Sequence, residues 1–265
     1  MQETLVIHPR YSHISLELEN AITTFDSHIE ILGDAERNVI KIVVMGNKKF
    51  AIKSFKKPNV INQVVYRFFR KSKAERSYEY ANRLIKLGIK TPSPVAYLVE
   101  KNFFLLKNSY YISELIDYDF LYRDLTIDFS IPDYEKILRA FTRFTFNLHK
   151  NQIHFLDHSP GNTLIKKVEN DYEFYLVDLN RMKFESIDFN TKIKNFSKLT
   201  IHKSMVTVMS NEYAKCCNQK EEEIFKLMWR YTKEFQYRFY RKIRLKKNLF
   251  FWKEKYKNKV IKSPI

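Results

Sequence analysis

The sequence predicts an α+β chain of two lobes, β-rich with one main helix at its N-terminal end and mainly helical at its C-terminal end. Three observations carry that expectation. β-branched runs separated by turn residues fill residues 28–55. Apolar side chains recur at helical spacing in residues 59–88 and 131–149, and again from about 187 to 259. A short strand pair, 163–177, follows a loop rich in polar residues. The division falls near Asp117, with an N-lobe of residues 1–116 and a C-lobe of residues 117–265.

Residues 1–25 are poorly patterned and admit a short strand or a helix. Three antiparallel strands are expected next: His28–Leu32, Val39–Met45 and Lys49–Phe55. A turn cluster at Gly33–Asn38 joins the first two, and Gly46-Asn47 joins the last two. Pro58 ends the run. Val60, Val64, Phe68 and Phe69 mark one helical stripe; Tyr80, Leu84 and Leu87 mark a second, closed by Gly88 at a C′ position. Thr91-Pro-Ser-Pro94 breaks the pattern, and strands are expected at Val95–Val99 and Tyr110–Ile116 around an apolar run, Phe103–Leu106. Ile131-Pro-Asp133 opens a helix to His149 with Ile137, Leu138, Phe141, Phe144 and Leu148 as its buried stripe. Strands Thr163–Val168 and Tyr172–Val177 turn at Glu169-Asn-Asp171.

Composition narrows the function. At roughly 150 residues per domain, 265 residues suffice for one large domain or two lobes. Lys and Arg number 47 against 30 Asp and Glu, so the formal charge of +17 points to polyanionic partners: nucleic acid, an anionic membrane or a phosphorylated substrate. The two cysteines, Cys216 and Cys217, are adjacent, which argues against a disulfide framework and a thiolate zinc site and fits a reducing compartment. No signal peptide and no 18-residue apolar span are expected. With four glycines, the chain has neither a Rossmann fingerprint nor a Walker A loop.

Chemistry concentrates in His154-Phe-Leu-Asp157-His-Ser-Pro-Gly-Asn162 and Val177-Asp178-Leu-Asn180. The hairpin between them should bring its ends together, so Asp157, Asn162 and Asp178 converge. Two of these hard oxygen donors suit Mg²⁺ with phosphate, and one carboxylate is left to orient a hydroxyl nucleophile. Phe50-Ala-Ile-Lys53 matches the Val-Ala-Ile-Lys strand on which kinases carry a phosphate-binding lysine. That lysine needs a carboxylate from the following helix, where Glu75 and Glu79 share a face. Read singly, each of these residues is more often a turn former or a solvated side chain; their order along the chain carries the signal.

The ordered set Lys53, Glu79, Asp157, Asn162, Asp178 resembles the protein-kinase-like fold. Within it the chain is similar to the lipopolysaccharide core kinases, the Kdo/heptose kinase family, over residues 25–200. Lys41–Phe55, Ala74–Pro94 with Leu-Gly-Ile-Lys-Thr-Pro92, and Leu156–Asp178 carry the likeness. The resemblance favours Glu79 as the partner of Lys53. It implies transfer of the ATP γ-phosphate to a sugar hydroxyl of the lipopolysaccharide inner core. In that reaction Asp157 would act on the hydroxyl, Asn162 and Asp178 would hold Mg²⁺, Lys53 would hold the α/β-phosphates, and Glu114 and Leu115 would offer backbone groups to adenine. Two departures stand out. Phe155 occupies the place of the usual catalytic-loop histidine, and Asp178-Leu-Asn lacks the glycine of the metal-binding motif. The phosphate cover would have to come from a glycine-poor turn and Arg37.

Residues 229–259 hold twelve Lys and Arg with only Glu234 and Glu254, a net of +10, interleaved with ten aromatics. Part of this segment, Ile224–Phe239, is expected to pack on the C-lobe; beyond Tyr240 it reads as a basic amphipathic element for a membrane surface. Lys53–Lys73, with seven basic residues and no acid, is a second such run. The resemblance implies an anionic glycolipid partner, the lipopolysaccharide core, at the cytoplasmic face of a bacterial inner membrane, and the basic runs agree with it. A kinase for another hydroxyl is the alternative, and a nucleic-acid-binding protein is the less favoured one, since it leaves the ordered catalytic set to coincidence. His149 at a helix end is expected to serve the helix dipole, and His158 and Ser159 to brace the loop.

Overall fold

The computed structural model describes residues 2–32 and 38–260, from residue 249 on as backbone. The expected Gly33–Asn38 turn, Arg37 and the aromatic cluster Phe250–Trp252 lie at or beyond the limits of that description.

The chain opens with β1 (Gln2–Ile7) and α1 (Ser15–Thr23). It continues through β2 (Asn38–Met45), β3 (Lys48–Phe55), α2 (Val60–Phe68), α3 (Lys73–Lys86), β4 (Pro94–Lys101) and β5 (Leu106–Glu114). The five strands form one antiparallel sheet in the order β1-β4-β5-β3-β2. The expected strand at His28–Leu32 shortens to a bridge, Ile31 with Lys41, beside β2, held by the Leu32 N–H to the Ile40 carbonyl and the Ile42 N–H to the Glu30 carbonyl, and β1 forms the opposite edge of the sheet on β4. Gly46 turns β2 into β3 at φ +55°, a conformation open to glycine and costly to other residues.

Alternation along β3 sorts its side chains between two faces. Phe50 and Ile52 enter a core with Leu18, Ala21 and Ile22 of α1. Ala51 and Lys53 face the opposite side, where the cleft lies. α3 is capped by the Ser72 hydroxyl, which accepts the Glu75 N–H at 3.1 Å. It packs through Ala74, Ala81 and Leu84, and Gly88 closes it at φ +71°. Leu87, expected on its buried stripe, is exposed, because the chain has already left the helix there. α2 forms as the expected helix, and none of its residues is buried.

The helical lobe is built from β6 (Phe120–Leu121), α4 (Tyr134–Lys150), β7 (Ile153–Phe155), β8 (Thr163–Val168), β9 (Asp171–Leu176), β10 (Met182–Phe184), α5 (Phe189–Lys194), α6 (Lys203–Cys217) and α7 (Glu221–Val260). The stripe of α4 buries Ile137, Leu138, Phe141 and Leu148 as expected. Phe141, Phe196, Met209, Tyr213, Ile224 and Met228 meet in its core. α7 contributes Ile224, Met228 and Thr232, one residue per turn on a single face. Its packing stops near Gln236, whose amide reaches the Ile201 carbonyl at 3.4 Å. From Tyr237 to Asn248 every side chain is exposed, so the docked stretch ends before Phe239.

A third core joins the lobes: Ala81, Leu84 and Ile89 from the α3 region meet Leu148, Ile153 and Phe155. The Thr91 hydroxyl also donates to the Leu176 carbonyl at 2.7 Å, tying the α3–β4 connection to the end of β9.

Candidate active site

Two antiparallel pairings bring the polar loop and Asp178 together. β8 and β9 pair from Thr163↔Leu176 to Val168↔Asp171. The pairing is extended by the Val177 N–H, which donates to the Asn162 carbonyl at 3.0 Å. β7 and β10 pair Phe155 with Met182, and the Leu156 N–H donates to the Arg181 carbonyl at 3.1 Å. The segment carrying Asp157 and the segment after Asp178 are thereby clamped side by side. The Asn162 amide donates to the Asp157 carbonyl at 2.8 Å, closing the loop on itself.

Buried polar groups hold this loop from behind. Asn195 donates to the Phe155 carbonyl at 2.9 Å while its own carbonyl oxygen meets the His149 ring. Lys198 donates to the Leu156 carbonyl at 2.6 Å. His158 is fully buried, meets the Thr145 hydroxyl and stacks on Phe141 at 5.4 Å. Burial lowers its pKa to about 3 and that of His149 to about 4. His149 is therefore neutral and carries no charge to the helix end, contrary to the expected dipole role. Its place is in a buried chain from Tyr213 to Asn195. Phe155, at the position of the missing histidine, is fully buried in the core between the lobes. An apolar ring there anchors the loop by packing instead of by hydrogen bonds.

Asp178 and Asn162 line the cleft between the lobes, a cavity of about 380 Å³; Asp157 is outside that lining, joined to it through the Asn162 amide. Lys53 reaches across the cleft to Asp178, Nζ to Oδ1 2.6 Å. Asp178 sits at φ +56°, in the left-handed region that non-glycine residues rarely adopt. Its carboxylate also accepts from the Asn180 amide at 2.7 Å. Glu79 is not the partner of Lys53 in this structure; it is ion-paired with Lys71, and Glu75 lies 3.9 Å from the same lysine. The N–H groups of Glu114 and Leu115 are both committed, to the carbonyls of Ser93 and Lys49 at 2.9 Å each. The Glu114 carboxylate is taken by Lys48 at 2.7 Å. Carbonyl oxygens are what this segment has left to offer a base.

Several residues complete the site without a sequence signal strong enough to mark them. Ile40 and Ala51 line the cleft from the sheet lobe and Leu164 from the helical lobe, giving apolar surfaces above and below a flat ligand. Ala51, two residues before Lys53, was the one in reach of motif reasoning. Asp157 is flanked by Arg181 at 3.0 Å and Lys198 at 3.5 Å. Arg123 lines the cleft and packs on Gly161, where an added Cβ would stand 2.8 Å from its guanidinium. Among the described residues Arg123 makes no ion pair.

A search of solved structures places this arrangement in a known architecture. The chain is similar to the structure described as "WaaP in complex with acyl carrier protein", with a TM-score of 0.61 and 13% sequence identity, over 87% of this chain and 97% of that one. The fold is protein-kinase-like. At that identity the likeness is one of fold. No family model matches the sequence, and no curated protein matches it.

Asn162 and Asp178 fit a magnesium ion by their chemistry. With Asn162 Nδ2 engaged by the Asp157 carbonyl, its Oδ1 is the free end, and Lys53 and Asn180 leave Asp178 Oδ2. Two protein oxygens are the usual complement for an ion that keeps its waters and takes the rest of its shell from phosphates. Among the described residues no cluster of three or more His, Cys, Asp or Glu forms a fuller metal site.

Proposed function

We propose that the protein is an ATP-dependent kinase that phosphorylates a sugar hydroxyl of the lipopolysaccharide inner core, Kdo or heptose. The observation that carries this reading is the Lys53–Asp178 pair spanning the cleft at 2.6 Å, beside Asn162, in a protein-kinase-like fold. The boundary between lobes is put at residues 116 and 117, on the segment that follows β5.

In this reading the base of ATP lies between Ile40, Ala51 and Leu164, with its polar edge on the carbonyls of Glu114 and Leu115. Lys53 exchanges Asp178 for the α/β-phosphates, and Glu79 takes up Lys53 after leaving Lys71. Asn162 and Asp178 hold Mg²⁺, which supplies neutralisation of charge on the phosphates. Asp157 would accept the hydroxyl proton and aim the oxygen at the γ-phosphorus, whose bond to the β,γ-bridging oxygen breaks as the new bond forms, so that ADP leaves. The work is positioning and electrostatics, with no covalent intermediate on the protein.

The acceptor is read from the cations around Asp157. Arg181 and Lys198 stand beside the reacting carboxylate, where the carboxylate or phosphate groups of an anionic glycolipid acceptor can pair with them. Among the described residues no helix is long and apolar enough to cross a membrane. Work on a glycolipid would then be done from the surface, which we place at the cytoplasmic face of the inner membrane.

Incubation with γ-labelled ATP, Mg²⁺ and a Kdo-bearing lipid A precursor tests the reading. Label is expected on the lipid sugar, and Asp157→Asn is expected to lower the rate by about 10²-fold or more without lowering the melting temperature. Label on a protein or a small polyol instead of the lipid would keep the kinase and replace the acceptor.

A further inference from the structure

α2 meets the core through Tyr66, half-buried against Phe55, Ala74, Val99 and Leu106, and its apolar stripe lies elsewhere. Asn59 caps it, its Oδ1 accepting the Asn62 N–H at 2.9 Å, and the sequence is amphipathic, yet no residue of it is buried. Nine residues do not make a stable helix alone in water; such helices normally exist because an apolar face is covered. Here the face is open. Val60, Ile61, Phe68 and the C-cap Phe69 are exposed, Ile61 by 77% and Phe69 by 82%.

A second element extends the open face. The Arg67 guanidinium donates to the Asn102 carbonyl at 3.1 Å, pinning α2 beside the turn between β4 and β5. That turn carries Phe103 and Phe104, exposed by 79% and 64%, with ring centroids 4.7 Å apart. Its backbone is fixed: the Asn102 side chain accepts the N–H groups of Phe104 and Leu105 at 3.1 and 2.6 Å. The rings of Phe68 and Phe69 and those of Phe103 and Phe104 are displayed on a helix and a rigid turn that the Arg67–Asn102 hydrogen bond holds side by side, and grouped exposed apolar side chains of this kind mark an interaction surface.

Charge says what covers it. Residues 53–73 hold seven Lys and Arg and no acid, and Lys101 and Lys107 flank the Phe103–Phe104 turn. Among the described residues Lys56, Lys57, Arg70, Lys101 and Lys107 make no ion pair. A second copy docking through the same face would bring these cations against their own equivalents. A surface of many anionic groups over an apolar interior meets both halves of the pattern: rings enter the acyl boundary and the basic stems lie along it with their charges on lipid phosphates.

We propose that α2 and the β4–β5 turn form a docking surface for an anionic lipid bilayer. The α7 segment Tyr237–Asn248, also basic and exposed, is an additional contact and not the anchor. The proposal does not rest on phosphate transfer, since binding to vesicles needs neither nucleotide nor acceptor.

Flotation of the full chain with vesicles of phosphatidylglycerol and phosphatidylethanolamine, against phosphatidylcholine alone, tests it. The wild type is expected to float with the anionic vesicles and to be released by salt. The exposed double variants Phe68→Ser/Phe69→Ser and Phe103→Ser/Phe104→Ser are each expected to bind at least tenfold more weakly, with unchanged melting temperature. The triple variant Arg241→Glu/Lys242→Glu/Arg244→Glu in α7 is expected to lose less. Phe103→Trp should shift its emission to the blue on anionic vesicles only. Three results would overturn the proposal: no flotation of the wild type, flotation lost in the α7 variant alone, or a dimer or an acidic protein complex, without lipid binding, that Phe68→Ser/Phe69→Ser dissolves.

Discussion

Gly161 and Arg123 make a pair whose chemistry a single substitution can expose. The guanidinium occupies the space a Cβ would need. Gly161→Ala therefore has a flexible side-chain end to push aside, not backbone, and the cost in stability is expected to be small, under about 1 kcal/mol. The functional cost is larger if Arg123 serves the cleft: KM for ATP or the acceptor rises about tenfold, the loss of one charge-assisted contact. Arg123→Ala should raise the same KM, and Gly161→Ala should add nothing to it. Steady-state kinetics of the three variants decide this; additive losses would separate the two residues. The buried histidines set a second prediction. The unfolded chain protonates each near pH 6.5, while in the native state His149 waits until about pH 4 and His158 until about pH 3. Between those values the unfolded state binds more protons, so stability rises with pH. The contribution is complete above about pH 7 and is lost as pH falls from 6.5 toward 4, on the order of 3 kcal/mol per histidine. Urea midpoints at pH 7 and pH 4.5 should differ accordingly, and His149→Gln should remove about half of the slope. A flat profile would contradict their burial as neutral rings.

Among the elements, α3 is where the structure and the expected catalytic arrangement differ. Glu79 is held by Lys71, an exposed pair worth 0 to about 1 kcal/mol. Lys71→Ala is therefore expected to leave the melting temperature within a few degrees and to raise nucleotide affinity several-fold by freeing Glu79 for Lys53. Unchanged affinity would remove Glu79 from the site. The elements also show what the sequence could convey. β2, β3, α3, α4, β8 and β9 were legible because each is long enough to show its period and is bounded by Gly, Pro or a turn. β7 and β10, three residues each, lie below any periodic window, although they clamp the Asp157 loop. Residues 1–25 admit a strand or a helix and form both, β1 and α1; the pattern does not place them because the apolar residues of β1 cluster at one end of a mostly polar segment. The stripe on α2 is amphipathic and basic in the sequence, which admits a lipid-facing helix, and the structure leaves that stripe uncovered; a pattern shows that a face is apolar but not what covers it. The same limit applied to His149, whose position at a helix end was visible and whose burial was not.

Across the whole molecule, the residues readable in advance are those whose chemistry is tied to a local motif: Lys53 on its strand, Asp157 and Asn162 five apart, Asp178 at the end of a hairpin. Those that were not readable owe their place to tertiary packing: Arg123 from beyond β6, Lys198 from beyond α5, Leu164 from the floor of the cleft. A core in each lobe is joined to the other by a core that both lobes share, and the cleft lies along that joint. Lys53 and Asp178 stand on opposite sides of it. The proposed role of the cleft is to hold ATP with Mg²⁺ through those two residues, and calorimetric titration of ATP into the full chain, with and without Mg²⁺, measures that binding. Saturable, Mg²⁺-dependent binding is expected, which Lys53→Met and Asp178→Ala each weaken at least tenfold, about 1.4 kcal/mol, with the fold intact. No binding by the wild type, or binding indifferent to both substitutions, would contradict it.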